Sequence, residues 1–182
     1  MVLSIGIHNQ QVGEEIIAEL IRQGVDYFSI APGSRSTSLV AAVARNPQAQ
    51  KMVGYDERGV AFHALGYARG AGRPACVITT SGTAVANLFP AVVEASEDGV
   101  PMLLLTADRP ASLRGTGANQ TINQVEIFGM YVRGFWDLDC SDSTQLIEAI
   151  TTSIQAAAQR AVAKLGPVHI NCQFAKPFLG ER

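Results

Sequence analysis

At 182 residues, with 47% hydrophobic and only 16% charged side chains, the chain has the size and apolar content of one well-buried domain and not of a disordered segment. A formal net charge of −2 and the lack of any Lys/Arg run give no footing for a nucleic-acid or anionic-membrane partner, and no apolar stretch approaches the ~18 residues of a membrane span. The amino terminus has neither a basic signal-peptide start nor an Arg/Ser-rich transit composition, so a cytoplasmic location is expected.

Strand-like and helix-like patterns alternate along the chain. Val12, Ile16, Ile17, Leu20 and Ile21 share one face of a helix predicted over 9–23, which Gly24 ends as a C′ glycine. A strand over 27–32 runs into Pro32-Gly33-Ser34-Arg35-Ser36, and a helix over 36–45 follows, with Ser34 or Ser36 as its cap. A strand over 51–56 leads through Asp56-Glu57-Arg58 into a helix over 57–70, striped by Val60, Ala61, Ala64, Leu65 and Ala68. A strand over 75–80 leads through Thr79-Thr80-Ser81-Gly82-Thr83 into an Ala-rich helix over 83–97, apolar nearly all round and so expected to be buried. A strand over 101–106 ends in Thr106-Ala107-Asp108-Arg109-Pro110. From Asp108 to about Met130 large apolar residues are few, and Arg114, Gly115, Gly117, Asn119, Gln120, Asn123 and Gln124 dominate. Loops beyond ~12–15 residues are usually functional or disordered; this amide-rich one suits ligand contacts at least as well as disorder. A strand over 134–139, a helix over 144–164 and a strand over 167–173 complete the pattern. The chain then stops, as a domain cut from a longer protein would.

Such alternation predicts an α/β fold of three αβα layers around a mainly parallel sheet of about six strands. Four polar clusters then emerge along one edge of that sheet, where ligands of open α/β sheets bind. Familiar uses of the edge are missing. There is no Gly-x-x-x-x-Gly-Lys-Ser/Thr and no Gly-x-Ser-x-Gly, and Gly115-Thr116-Gly117-Ala118-Asn119-Gln120 lacks the third glycine of a dinucleotide fingerprint. Cys76, Cys140 and Cys172 are odd in number and widely spaced, which reads as buried inert thiols. His8, His63 and His169 have no metal-ligand spacing, and His63 reads as a helix-packing residue.

Glu57 follows a strand and opens a helix. Either its carboxylate faces a ligand, or it complements the helix dipole, worth roughly 0.3–1 kcal/mol. Arg35 and Arg109 also follow strands directly, and Pro110 biases Arg109 toward an extended backbone. Two guanidinium groups at one cleft suit a substrate with more than one carboxylate; the alternative is ion pairing with Asp56 or Asp108. The 80–83 turn offers hydroxyls and backbone N–H groups at a helix start, for an anion, a polar ring or simple capping.

Taken together, Ile30-Ala31-Pro32-Gly33-Ser34-Arg35-Ser36-Thr37, Asp56-Glu57-Arg58-Gly59, Thr80-Ser81-Gly82-Thr83-Ala84-Val85-Ala86-Asn87-Leu88, Leu105-Thr106-Ala107-Asp108-Arg109-Pro110, Gly117-Ala118-Asn119-Gln120 and the closing Val168-His169-Ile170-Asn171-Cys172 resemble the SEPHCHC synthase (MenD) family of thiamine-diphosphate enzymes. The resemblance runs from about residue 8 to 179 and covers the family's amino-terminal, flavodoxin-like pyrimidine-binding domain, so 1–182 is expected to be that single domain. It implies decarboxylation of 2-oxoglutarate and addition of the succinyl carbanion equivalent to the ring alkene of isochorismate, on the way to menaquinone or phylloquinone. Glu57 matches the glutamate that hydrogen-bonds the cofactor's aminopyrimidine nitrogen. Burial against a ring would favour its protonated form and the helix dipole its ionised one. Thr80, Ser81, Gly82 and Asn87 match the cofactor's pyrimidine side, and Ser34, Arg35, Arg109, Asn119 and Gln120 match the isochorismate and intermediate contacts. The resemblance also implies a homo-oligomer whose sites each face a partner subunit's pyrophosphate-binding domain. In that domain a Gly-Asp-Gly…Asn motif holds Mg²⁺ and the diphosphate. This chain has no Gly-Asp-Gly, Glu97-Asp98-Gly99 does not substitute for it, and no metal ligand is expected here. The isolated chain is therefore expected to be inactive.

Two other readings share part of this pattern. An acetohydroxyacid synthase or oxoacid decarboxylase would have the same first domain and glutamate, but a pyruvate-type substrate needs fewer cations than Arg35 and Arg109 supply. A non-catalytic flavodoxin-like module would need none of the polar clusters.

Overall fold

The computed structural model describes residues 4–142 and 147–180. Within them β1 (Tyr27–Ile30), β2 (Gln50–Val53), β3 (Ala75–Thr79), β4 (Met102–Asp108), β5 (Phe135–Asp139) and β6 (Pro167–Gln173) form one sheet in the order β2-β1-β3-β4-β6-β5. Every pairing is parallel. The three-layer α/β expectation holds.

The period-2 alternation of the strands divides the interior into two cores. Phe28, Ile30, Cys76, Ile78, Leu103, Leu105, Val168 and Ile170 project to one side. There they meet α1 (Ile5–Arg22), α2 (Thr37–Arg45) and α6 (Ile147–Ala163) through Val12, Ile16, Leu20, Leu39, Val43, Ile150 and Ile154. Ala75, Val77, Met102 and Leu104 project to the other side, against Val60, Ala61 and Ala64 of α3 (Glu57–Ala71) and Ala91, Val92 and Ala95 of α5 (Phe89–Glu97). Cys76, Cys140 and Cys172 are buried free thiols, and burial raises the pKa of Cys76 and Cys140. His63 lies beside Tyr27 and Ser29, with its Nδ1 3.3 Å from Ser29 Oγ.

Helix ends follow the expected chemistry at α1. Gly24 takes φ +82°, and its N–H donates to Ile21 O while Val25 N–H donates to Leu20 O, the paired bonds of a Schellman stop. The start of α2 differs from expectation. A 3₁₀ turn (Ser34–Ser36) precedes it, and neither serine caps it: Ser36 Oγ donates back to Gly33 O at 3.0 Å. The single buried helix expected over 83–97 is also corrected. It is two pieces, α4 (Thr83–Ala86) and α5, because Pro90 has no N–H to donate and its ring would collide with the carbonyl of Ala86, so the helix restarts with Pro90 in its first turn. Burial there is one-sided: Ala84, Val85, Leu88, Ala91, Val92 and Ala95 are inside, whereas Ala86, Asn87, Pro90 and Glu94 are exposed. β2 stops at Val53, short of the expected 56, and β4 runs two residues past the expected 106 because Asp108 pairs in register with Gln173. The expected start of the helix at 144 lies outside the described residues.

Residues 109–134 connect β4 to β5 with only short 3₁₀ turns and lie against the second face of the sheet. Phe128, fully buried, packs edge-on to His169 at 4.9 Å. Beneath them β4 and β6 present a polar row instead of an apolar one. Asn171 Nδ2 donates to Asp108 Oδ2 (3.0 Å) and Asp137 Oδ1 (2.9 Å), so Asn171 Oδ1 must accept, from Thr106 Oγ1 (2.9 Å) and Gln124 Nε2 (2.7 Å). With the Thr106 hydroxyl proton used there, its 2.8 Å contact to His169 Nε2 requires His169 to donate, leaving the bare Nδ1 of a neutral ring.

Burial pushes His169 down to about 3, so on acidification the unfolded chain takes up this proton first. The contribution is whole above the unfolded value near 6.5 and declines as pH falls from there toward 3. His169 alone should make the protein roughly 2 kcal/mol less stable at pH 5 than at pH 7. Urea unfolding of wild type and His169→Gln at both pH values measures this; a variant with an unchanged pH difference would contradict it.

Candidate functional site

The strand order sets out the polar clusters in space. Along the carboxyl edge the sequence runs from Glu57 after β2, through Ser34 and Arg35 after β1 and the 80–83 turn after β3, to Arg109 after β4. Because β1 lies between β2 and β3, segments distant in the chain become neighbours. Gly33 crosses so close to Thr80 that a Cβ there would collide with the Thr80 side chain.

A cleft of about 190 Å³ is lined by Ser34, Arg35, Thr80, Arg109, Asn119, Gln120, Lys176 and Phe178. Six of the expected contacts thus share one hollow, and Lys176 and Phe178 join them. A second hollow of about 440 Å³ shares Arg35, Arg109, Asn119 and Lys176 and adds Pro110, Leu113, Ala118 and Ala175. Arg35 is buried: its Nη1 donates to Phe174 O and its guanidinium lies 5.1 Å from the centre of the Phe178 ring. Arg109 donates to Ser81 Oγ. Neither belongs to a described ion pair. Asp56 caps α3 by accepting from Gly59 N–H at 2.6 Å, and Asp108 binds Arg114 and the backbone N–H of Arg109. The ion-pairing alternative for Arg35 and Arg109 therefore fails on geometry. Burial, and after it the Arg109 guanidinium, lower the proton affinity of Arg35, with Asp108 opposing.

Glu57 and Asn87 do not line this cleft, but they meet each other: Asn87 Nδ2 donates to Glu57 Oε2 at 3.3 Å. Asn87 lies on the exposed face with Ala86 and Pro90, away from the buried Ala84, Leu88 and Ala91, which leaves its side chain outside the core. Glu57 Oε1 carries no described hydrogen bond. A carboxylate oriented on one oxygen and open on the other is a suitable partner for a ring nitrogen, so the residues present fit an aminopyrimidine group.

The 80–83 turn differs from its expected form. Gly82 N–H is not free, for it donates to Gln124 Oε1 at 2.9 Å, and Ser81 O accepts from Gln120 Nε2 at 3.1 Å. Gly82 holds φ +84°, and a Cβ there would lie 2.9 Å from Gln120 O. The turn is thereby clamped to the long loop, with Thr80 at the cleft wall. Within that loop the polar residues divide. Asn119 and Gln120 face the cleft, whereas Arg114 chelates Asp137 (2.7 and 2.9 Å) and Gln124 is fully buried. Lys176 and Phe178 escaped the sequence reading because they follow the last strand in a segment without a familiar motif. The available signal was a fifth strand end, Phe174-Ala175-Lys176-Pro177-Phe178, on the same edge as the other four.

Among the described residues no group of three or more His, Cys, Asp or Glu is placed to hold a metal ion, and no helix is long and apolar enough to cross a membrane.

Residues 10–127 match the family described as thiamine pyrophosphate enzyme, N-terminal TPP binding domain. The chain is 58% identical over 165 residues, 89% of its length, to a protein of Salinibacter ruber named 2-succinyl-5-enolpyruvyl-6-hydroxy-3-cyclohexene-1-carboxylate synthase. It is 55% identical over 172 residues, 94% of its length, to the protein of that name from Rubrobacter xylanophilus. Over 166 residues, 91% of its length, it is 51% identical to Protein PHYLLO, chloroplastic, of Arabidopsis thaliana. It spans 28%, 30% and 10% of those three proteins.

The clamp is directly testable. Gln124→Ala removes bonds to Gly82 N–H, Ala107 O and Asn171 Oδ1, stranding buried polar groups at about 1–3 kcal/mol each when not rehydrated. A loss of about 2–4 kcal/mol in denaturant unfolding is expected; a loss under about 0.5 kcal/mol would show that the loop is held by other contacts.

Proposed function

The chain belongs to the thiamine pyrophosphate enzyme family as its N-terminal TPP-binding domain, and from that premise we propose that it forms the pyrimidine-side half of a SEPHCHC synthase site. The complete assembly decarboxylates 2-oxoglutarate and adds the remaining four-carbon unit to isochorismate, for menaquinone or phylloquinone synthesis in the cytoplasm. The names of the similar proteins support the reaction. The observation that carries the substrate is the cleft itself: two guanidinium groups that belong to no described ion pair, converging from different strands, suit a ligand with two carboxylates.

Thiamine diphosphate, when bound, supplies the carbon that accepts the oxo acid and stores the electron pair released with carbon dioxide. Glu57 holds a proton against the aminopyrimidine ring nitrogen, and Asn87 orients the carboxylate by donating to Oε2. Thr80, Ser81 and Gly82 contact the pyrimidine side of the cofactor, and Thr80 also lines the cleft. Ser34, Arg35, Arg109, Asn119 and Gln120 hold isochorismate, the cations on its carboxylates and the hydroxyl and amides on its neutral oxygens. Mg²⁺ binds with the diphosphate on a pyrophosphate-binding domain supplied by a partner subunit, in a homo-oligomer. Val53, Tyr55 and Phe62 favour such a partner: they are 58%, 95% and 43% exposed around the start of α3, an apolar cost that a covering surface removes.

The test is complementation. The chain, thiamine diphosphate, Mg²⁺, 2-oxoglutarate and isochorismate are mixed with and without a separately made middle-plus-pyrophosphate fragment of a similar synthase. Isochorismate loss is expected only in the complete mixture. Glu57→Gln should lower that turnover at least about 100-fold, since it removes the group that exchanges a proton with the ring. Turnover unchanged by Glu57→Gln, or none in a folded and associated complex, would overturn the proposal.

A further inference from the structure

We infer that Lys176 is a third cationic substrate contact, binding a carboxylate of the ligand jointly with Arg35 and Arg109. The inference rests on the isochorismate reading of the same cleft and adds to it a specificity-determining residue from the segment after β6.

Lys176 lines both hollows, as do only Arg35, Arg109 and Asn119. It therefore stands where the small polar chamber, bordered by Ser34 and Thr80, meets the larger one, bordered by Pro110, Leu113 and Ala118. A ring that carries carboxylates would put its charges at that junction and its body in the larger chamber.

The backbone around Lys176 is held to a degree that a merely solvated lysine does not need. Asn9, fully buried, donates from Nδ2 to Ala175 O and to Pro177 O, both at 2.8 Å, one carbonyl on each side of Lys176. Asn9 Oδ1 accepts from Ser141 Oγ at 2.9 Å, and Ser141 Oγ in turn accepts from Ala175 N–H at 2.6 Å. Ser38 Oγ donates to Phe178 O at 2.6 Å. Three side chains from α1, α2 and the end of β5 thus fix the main chain, while the Lys176 side chain stays exposed.

A third donor is also chemically useful here. Arg35 already spends Nη1 on Phe174 O, and Arg109 spends Nη1 on Ser81 Oγ, so neither guanidinium offers its whole fork. Two carboxylates accept through four oxygens, more than two partly committed forks satisfy, and a compact ammonium on a flexible stem can meet a remaining oxygen from another direction. No described ion pair diverts Lys176 elsewhere.

The test is calorimetric binding of two probes, isochorismate and the monocarboxylate 1-cyclohexene-1-carboxylate, to the chain and its variants, each complemented with the separately made middle-plus-pyrophosphate fragment, thiamine diphosphate and Mg²⁺, with 2-oxoglutarate withheld. Lys176→Met should weaken isochorismate about tenfold and the monocarboxylate less than about twofold, and Lys176→Arg should restore isochorismate to within about threefold. Wild-type affinity in Lys176→Met, with binding lost in Arg109→Ala, would overturn the role of Lys176 and leave the substrate reading standing. Isochorismate binding that is absent, or indifferent to both substitutions, would overturn both.

Discussion

One buried amide, Asn171, ties together the parts of the molecule from which the site is built. Its two protons go to Asp108 on β4 and Asp137 on β5, and its oxygen takes protons from Thr106 on β4 and Gln124 in the long loop. Arg114 closes the circuit by binding both carboxylates. Burial opposes the charge on Asp137, but the bonds from Arg114 and Asn171 prevail and hold its carboxyl below the usual range. In a network this far inside the protein every partner counts, and its side chains are paired apart from the buried Arg114 Nε and His169 Nδ1. Here the satisfaction depends on the loop, since Gln124 and Arg114 are the loop's contribution. The sheet therefore cannot complete its own hydrogen bonding without folding 109–134 onto itself, and in that position Asn119 and Gln120 border the cleft.

The same network reaches the cleft by two further bonds. Asp108 uses its other oxygen to accept from Arg109 N–H at 2.7 Å, which fixes where the Arg109 side chain leaves the strand. Gln124 uses its amide oxygen for Gly82 N–H, which fixes the turn beside Thr80. Two of the four polar clusters, the 80–83 turn and the end of β4, are thereby joined with the long loop into one hydrogen-bonded body from which Arg109 projects. Preorganisation of this kind matters for a dianion, because cations that must first be gathered from flexible loops lose much of their attraction to ordering entropy.

The architecture was legible because it rests on patterns that a chain displays locally. Period-3.6 stripes such as Val12/Ile16/Leu20 and turn residues such as Gly24 need no knowledge of the rest of the fold, and parallel pairing follows from their alternation with strands. The convergence of Arg35 and Arg109 was legible for the same reason, as both end strands of one sheet. Three features were not. Pro90 looked compatible with a continuous helix on apolar content alone, yet the ring's clash with the Ala86 carbonyl decides the break. Gln124 and Arg114 read as ligand-facing because nothing local distinguishes a polar side chain aimed at solvent from one aimed at a polar row on a sheet. That row, Thr106-His169-Asn171, is visible only once β4 and β6 are known to be neighbours. Lys176 depends on a still longer connection, since residue 9 holds the backbone of 175 and 177.

That connection ties α1 and α2 to the segment after β6. After β6 the segment 174–180 crosses the amino-terminal ends of α1 and α2, and it lies so close that a Cβ on Gly6 would collide with the backbone of Leu179. The segment adds Phe174 to the first core and packs Phe178 against it. It also acts at the cleft. The carbonyl of Phe174 receives Arg35, the ring of Phe178 lies beside the same guanidinium, and Lys176 sits between them on a backbone that Asn9 grips from both sides. Burial of Arg35 carries a desolvation cost that a single carbonyl acceptor offsets only in part, and a nearby Arg109 adds to it. Like charges held together at such a cost suit the anionic ligand proposed for the cleft, and the tight path of 174–180 is the means by which the arrangement is kept.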